Sequence, residues 1–241
     1  SAVVIGSGVA LAQSALVSAF DATLPDARGI SRFSRPGTIT LLASDGAVIQ
    51  KLGPATREKI KPGEMPLLVK QAFIAAEDRR FYEHNGVDIW GIGRALVRNV
   101  RQGAVREGAS TITQQLARTV FLSQDRTITR KLKEAALAYK LERQLSKEQI
   151  LEQYLNYVYL GASAYGLSDA AWVYFSKTPN QLNLQEAALI AGLPPAPSVY
   201  SPLVNPDLAL ERRSIVLNRM QQAGFITASE AEQARNSPLD L

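Results

Sequence analysis

The densest set of reactive side chains lies in AAEDRRFYEHNG, residues 75–86. It holds Glu77, Asp78, Arg79, Arg80, Glu83 and His84, the only histidine in the chain. The apolar run LLVKQAFIAA, residues 67–76, is patterned as a helix and leads straight into it. One reading is a solvated helix end. The other is a carboxylate held in a site for proton transfer. The composition narrows the chemistry further. With no cysteine, disulfides, thiolate zinc sites and cysteine nucleophiles are all excluded. A single histidine rules out an H-E-x-x-H metal site and leaves any Ser-His-Asp triad dependent on His84. Carboxylates, hydroxyls, lysines and arginines must carry the chemistry.

Three further segments place such groups at helical spacing. In GASTITQQLARTVFL, residues 108–122, Thr111, Gln115 and Arg118 fall at i, i+4 and i+7 and share a face, after a Ser110-Thr111 start able to cap a helix. Amides and guanidinium groups on one stripe can hold sugar hydroxyls and phosphate oxygens, although polar stripes more often face water. In RKLKEAALAYKLE, residues 130–142, Glu134 lies one turn beyond Arg130 and Lys131. This is either a surface ion pair contributing about 0.2–0.5 kcal/mol or a pyrophosphate clamp edged by a carboxylate. In LEQYLNYVYLGASAYG, residues 151–166, Tyr154, Asn156, Tyr157 and Tyr159 crowd a helix end that Gly161 is expected to terminate. Rings beside an amide suit a sugar site and suit a core equally.

The elements that must position these groups are mostly helical. TITLLASDGAVIQKL, residues 38–52, reads as a β-hairpin around Asp45-Gly46. From Pro66 onward the pattern is helical, with capping boxes at Ser146–Gln149 and Thr227–Glu230, and with a helix opened by Asn205-Pro206 and closed by Gly224. Residues 21–37 read as a linker, 98–109 as a mobile basic loop, and 193–202 as a proline-rich loop. The segment before the basic loop, DIWGIGRALVRNV, is apolar on one side and basic on the other, as suits a membrane surface or packing on the domain. Residues 1–20 carry no charge and are read as the end of a membrane anchor ahead of a signal-peptide remnant or a buried helix. The chain is 241 residues long with a net charge of +5, but Arg94 to Lys147 holds twelve Lys or Arg against four Asp or Glu. Such a block points to an anionic partner or to a solvated face. No nucleic-acid-binding module is recognisable in it.

Taken in order, EDRRFYEHNGVD, GASTITQQLARTVF, RKLKEAALAYKLE, LNYVYLG and ERRSIVLNRM resemble the five motifs of the family 51 glycosyltransferases, the peptidoglycan glycosyltransferase domains of class A penicillin-binding proteins. The resemblance covers roughly residues 60–225. It implies a mainly α fold, a lysozyme-like helical lobe with a smaller membrane-facing jaw, following the short β-hairpin. The implied layout is a possible anchor end at 1–20, linker and hairpin at 21–60 and the glycosyltransferase domain at 61–241.

The same resemblance implies the function: polymerisation of lipid II into β-1,4 glycan strands with inversion and release of polyprenyl pyrophosphate, a reaction blocked by moenomycin. It implies Glu77 and Glu134 as catalytic groups and Gln115, Arg118, Arg130, Lys131 and Tyr159 as donor-binding groups. Ser110, Thr111 and Asn156 join the binding set, while Asp78, Arg79, Phe81, His84 and Gly86 shape the site. Glu77 would be the base, and a carboxyl partly desolvated by rings such as Phe81 and Tyr82 gains basicity. No cofactor is required, but Glu134 admits a role in holding a divalent cation, Mg or Mn, on the pyrophosphate. The implied partners are lipid II, the growing glycan and the membrane, with no nucleic acid. The implied location is the outer face of the bacterial cytoplasmic membrane, behind a single-pass anchor.

Arg118 and Thr119 depart from the Lys and Asn common in the family. No serine has Lys three residues on, and Lys177-Thr178-Pro179 lacks the glycine of K-T-G, so the chain holds no transpeptidase. It reads as part of a longer bifunctional protein. A lysozyme-like glycan-cleaving enzyme and an inactive membrane-anchored binder of cell-wall precursors are the rival functions.

Overall fold

Asp45-Gly46 turns the chain as expected. Strands β1 (Ile39–Leu42) and β2 (Val48–Leu52) pair antiparallel, with Ile39 opposite Leu52 and a bulge where Leu41 and Leu42 meet β2. Gly46 adopts φ +85°, and its N–H donates to the Ala43 carbonyl at 2.9 Å. The Asp45 carboxylate accepts from the Ala47 N–H at 2.9 Å, closing the loop. The computed structural model describes residues 15, 17–20, 24–26, 29–30, 39–52, 59–61, 63–102, 110–122 and 127–241, with the backbone alone for 51–52 and 96–102.

Beyond the hairpin, the described residues are helical: α1 (Leu67–Glu77), α2 (Ile89–Gln102), α3 (Ile112–Phe121), α4 (Ile128–Glu142), α5 (Lys147–Tyr157), α6 (Leu167–Phe175), α7 (Leu184–Ala191), α8 (Pro206–Gln222) and α9 (Ala228–Asn236), with a short 3-10 turn at Pro179–Gln181. The fold is therefore mainly α with one small antiparallel hairpin. The helix starts follow local chemistry. Thr111, Asn183 and Thr227 each close a capping box. Ser146 does the same with Gln149. α8 starts with Pro206 in its first turn and ends in a Schellman motif. There the Phe225 N–H reaches the Met220 carbonyl, and Gly224 takes φ +74°.

The chain divides into two units. One comprises Arg80–Gln153 with the described residues before Phe33; the other comprises the described residues of Ser34–Arg79 and Tyr154–Leu241. In the first, α3 packs on α4. Buried Ile112, Leu116, Ala117, Ala136, Leu137, Ala138 and Leu141 form its core, and Leu24 and Ile30 are also buried. In the second, α1 packs on α7 and α8. Val69, Ala72, Phe73, Ile74, Ala75 and Ala76 are all buried, as expected of a helix apolar on most sides.

Two sequence expectations change. The basic segment 98–109 is helical through Gln102, because the amphipathic pattern of α2 runs on into it; residues 103–109 lie outside the described residues. The tyrosine-rich helix stops at Tyr157, four residues before Gly161, because Tyr159 forms a β-bridge with Tyr165. Gly161 instead turns that bridged loop at φ +84°, where a Cβ would come within 2.6 Å of the Pro197 carbonyl oxygen. The anchor expected at 1–20 lies, apart from residues 15 and 17–20, outside the described residues. Among the described residues no helix is long and apolar enough to cross a membrane.

Candidate active site

In the unit that holds α3 and α4, three of the expected donor-binding residues, Ser110, Arg130 and Lys131, are linked to Glu134. This carboxylate is fully buried. Oε2 accepts from Arg130 Nη1 at 2.8 Å and Oε1 from Lys131 Nζ at 2.5 Å. A carboxylate with no exposure cannot be half of a surface ion pair, so that reading fails. Burying it requires partners, and the two cations one turn back along α4 supply them. Lys131 Nζ also donates to Ser110 Oγ at 2.8 Å, joining the start of α3 to α4. The Lys131 side chain keeps 45% of its exposure and Arg130 16%, so both cations reach solvent while their counter-charge does not. The result is a fixed pair of cations held from behind. Both oxygens of Glu134 face charged donors, and among the described residues no three carboxylate or imidazole groups converge. That donor set holds the two cations in place.

Gln115 is largely buried, and its carbonyl accepts from Thr119 Oγ1 at 2.9 Å. Arg118 is half-buried in the last turn of α3 and forms no ion pair among the described residues. Thr111 is buried. Its Oγ1 accepts from the Gln114 N–H at 3.1 Å and donates to the Gly86 carbonyl at 2.6 Å. In this structure Thr111 is a helix cap and a tie to the loop after α1. Gly86 sits at φ +91°, and a Cβ there would lie 2.8–2.9 Å from backbone atoms of Ala138 and Tyr139. Only glycine allows the loop backbone to run this close to α4.

The charged stretch after Arg79 is tied to the same unit. Arg80 bridges Glu83 at 2.7 Å and Asp88 at 3.0 Å. Phe81 is fully buried and meets His84 edge-on. His84 Nδ1 accepts from the Gly86 N–H at 3.2 Å. Tyr82 keeps 55% of its exposure and donates to Glu148 Oε1 at 2.7 Å; partial desolvation of the hydroxyl and that carboxylate push it up to about 12.

In the unit that holds α1 and α8, Glu77 is the last residue of α1 and half-buried. Buried Asp78 follows as the C-cap, its N–H donating to the Ile74 carbonyl at 3.0 Å; Arg79 is exposed. Asn156 is half-buried and joined to Ile60 in both directions. It accepts the Ile60 N–H at 2.9 Å and donates to its carbonyl at 3.1 Å. Tyr159 is half-buried against Tyr165, ring centroids 4.7 Å apart. Tyr154 and Tyr157 are core residues, with Tyr154 packed edge-on against Phe73.

The comparisons with known proteins then decide the family. The transglycosylase family model matches residues 45–221. The chain belongs to the transglycosylase family. This is the family its five ordered motifs resemble, and the transglycosylase chain is a glycosyltransferase. Penicillin-binding protein 1A of Neisseria flavescens is 49% identical over 216 residues, 90% of this chain and 27% of that protein. Penicillin-binding protein 1A of Aquifex aeolicus (strain VF5) is 44% identical over 218 residues, 90% of this chain and 30% of that protein. This transglycosylase chain thus spans between a quarter and a third of the length of these relatives. Among solved structures, penicillin-binding protein 1A from Haemophilus influenzae matches at a TM-score of 0.48 and 25% identity, covering 86% of this chain and 21% of that one.

Several groups around these residues leave no signal in the amino-acid pattern. Lys147 donates to Glu142 at 2.7 Å and to the His84 carbonyl at 2.6 Å, and lies over the Phe81 ring. Thr113 donates to the same Glu142 oxygen at 2.6 Å. Asp88 holds Arg80, and Arg219 reaches the Ala76 carbonyl. Each joins residues far apart in the chain or across a turn with no periodic signal.

Proposed function

We propose that this domain polymerises peptidoglycan, joining the disaccharide units of lipid II through β-1,4 bonds. In this reading the acceptor's 4-hydroxyl attacks C1 of the α-linked donor as its bond to the pyrophosphate breaks, giving a β product by direct displacement. Glu77 takes the hydroxyl proton. Arg118, Arg130 and Lys131 stabilise the charge that builds on the departing polyprenyl pyrophosphate. Glu134 keeps Arg130 and Lys131 in place. Gln115, Ser110 and Tyr159 contact the donor's sugar and phosphates. Thr111 and Asn156 act as positioning residues, as do Asp78, Arg79, Phe81, His84 and Gly86.

The observation that carries this reading is the buried Glu134 holding two partly exposed cations side by side. Cleaving a glycan by water has no use for a fixed pair of cations, whereas a pyrophosphate leaving group requires one. The amphipathic, basic α2, with exposed Ile89, Trp90 and Ile92, suits a membrane carrying anionic headgroups. The reading also includes a domain at 61–241 on the outer face of the cytoplasmic membrane, behind an anchor, with a transpeptidase elsewhere in the full-length protein; that the chain spans 27% of a penicillin-binding protein 1A is in keeping with further domains.

The test is a gel assay of labelled lipid II in detergent with wild type, Glu77→Gln and Glu134→Gln, with moenomycin as the inhibitor control. Long ladders from wild type alone, abolished by moenomycin, are expected. Near-normal rate in Glu77→Gln sinks the base assignment, and lipid II hydrolysed to free sugar with no ladder sinks polymerisation.

A further inference from the structure

ERRSIVLNRM, residues 211–220, is the one motif to which the proposed reaction gives no task. Its Arg219 stands in the last turn of α8, yet it serves another helix: Nη1 donates to the Ala76 carbonyl at the end of α1. α1 has no Lys or Arg in its own last turn to meet the carbonyls a helix leaves unpaired at its C-terminus. Asp78 N–H serves the Ile74 carbonyl, and Arg219, 143 residues away in sequence, serves that of Ala76. Ala76 is buried, so solvent is a poor substitute. The arm is anchored as well. Val216, Leu217 and Met220 around it are buried, and α8 packs on α1.

The Ala76 carbonyl and the Glu77 N–H belong to one planar peptide. A donor fixed on that oxygen fixes the plane from which the Glu77 side chain departs. A guanidinium suits the task because its N–H directions are rigid. We infer that Arg219 is a positioning residue for Glu77, orienting the last peptide of α1 so that the carboxylate meets the acceptor hydroxyl in line for proton transfer. This rests on Glu77 being the base, as proposed above. Misplacing a reacting group by about 1 Å can cost about 100-fold in rate, while contacts to the donor's pyrophosphate are untouched. The effect therefore falls on kcat and spares KM.

The experiment is steady-state polymerisation of labelled lipid II by the whole chain, comparing wild type, Arg219→Ala, Arg219→Gln and Glu77→Gln, each checked for folding by circular dichroism. Arg219→Ala is expected to lower kcat about 10–100-fold with KM within about twofold, and added guanidinium ion to restore part of kcat. Arg219→Gln, with a shorter neutral donor, falls between. Unchanged kcat in Arg219→Ala, or a change in KM alone, overturns the inference while leaving the base assignment standing if Glu77→Gln is inactive. An active Glu77→Gln overturns both. Should Arg219→Ala not fold, Arg219→Gln carries the test on the same two criteria.

Discussion

Lys147 donates to the Glu142 carboxylate at 2.7 Å and to the carbonyl of His84 at 2.6 Å, so one ammonium ties the loop after α1 to the junction of α4 and α5. Glu142 is nearly buried and Lys147 19% exposed, which places the pair well out of the screened surface regime. The loop that follows Glu77 is thereby a held structure whose shape depends on a charge 63 positions away.

Lys147→Met should destabilise the protein by about 2–4 kcal/mol, because it strands a buried carboxylate and a backbone carbonyl together. Urea unfolding measures this. A double-mutant cycle with Glu142→Gln should show coupling of at least about 1 kcal/mol; additivity would mean that the two residues act apart.

Gly86→Ala forces a side chain into the backbone of Ala138–Tyr139 at a φ of +91°. Both strain and overpacking oppose it, and a loss of about 2–4 kcal/mol is expected. A melting temperature within about two degrees of wild type would show that the loop can move off α4.

Arg118→Ala separates binding from folding. Arg118 has no ion pair among the described residues, so the change should cost under about 0.5 kcal/mol of stability. Lipid II affinity should nevertheless fall about 10-fold or more, as expected for a lost charge-assisted contact to phosphate. A titration with lipid II checks it, and Arg118→Lys should retain most of the binding.

Tyr82 supplies a pH signature. Its hydroxyl is raised from 10.0 to about 12 in the folded chain. The stabilisation tied to its protonated form is present below pH 10 and fades as pH rises through about 12. An ultraviolet titration should find two late-ionising tyrosines, Tyr82 and Tyr174, whose hydroxyl burial also raises, and Tyr82→Phe should remove one of them. Glu148→Gln should lower its midpoint, since the carboxylate that accepts its proton also opposes the phenolate.

Much of this molecule could be read from local pattern. The hairpin, the caps at Thr111, Ser146 and Thr227, the Gly224 stop and the Arg130–Lys131–Glu134 cluster each depend on residues within a few positions of one another, and each appears where spacing puts it. Burial was harder to read. Glu134 at i+4 from a cation looks the same in sequence whether it lies on a surface or in a core. Asn156 gave no hint that its amide would clasp Ile60. α5 ends short of Gly161 because the Tyr159–Tyr165 bridge competes with helix for the same backbone, and glycine alone does not say which wins. Long-range partners such as Lys147 with His84, or Arg219 with Ala76, leave no periodic trace.

The helix starts and the end of α1 differ in when they can form. Capping boxes at Thr111, Ser146, Asn183 and Thr227 join residues three apart, so those helices can nucleate early at little cost in chain entropy. The Arg219–Ala76 bond closes a loop of 143 residues and must wait for most of the chain. A nascent chain would thus carry helices with correct beginnings well before the last peptide of α1 is pinned, so on the proposed reading reactivity would be among the last properties that folding delivers.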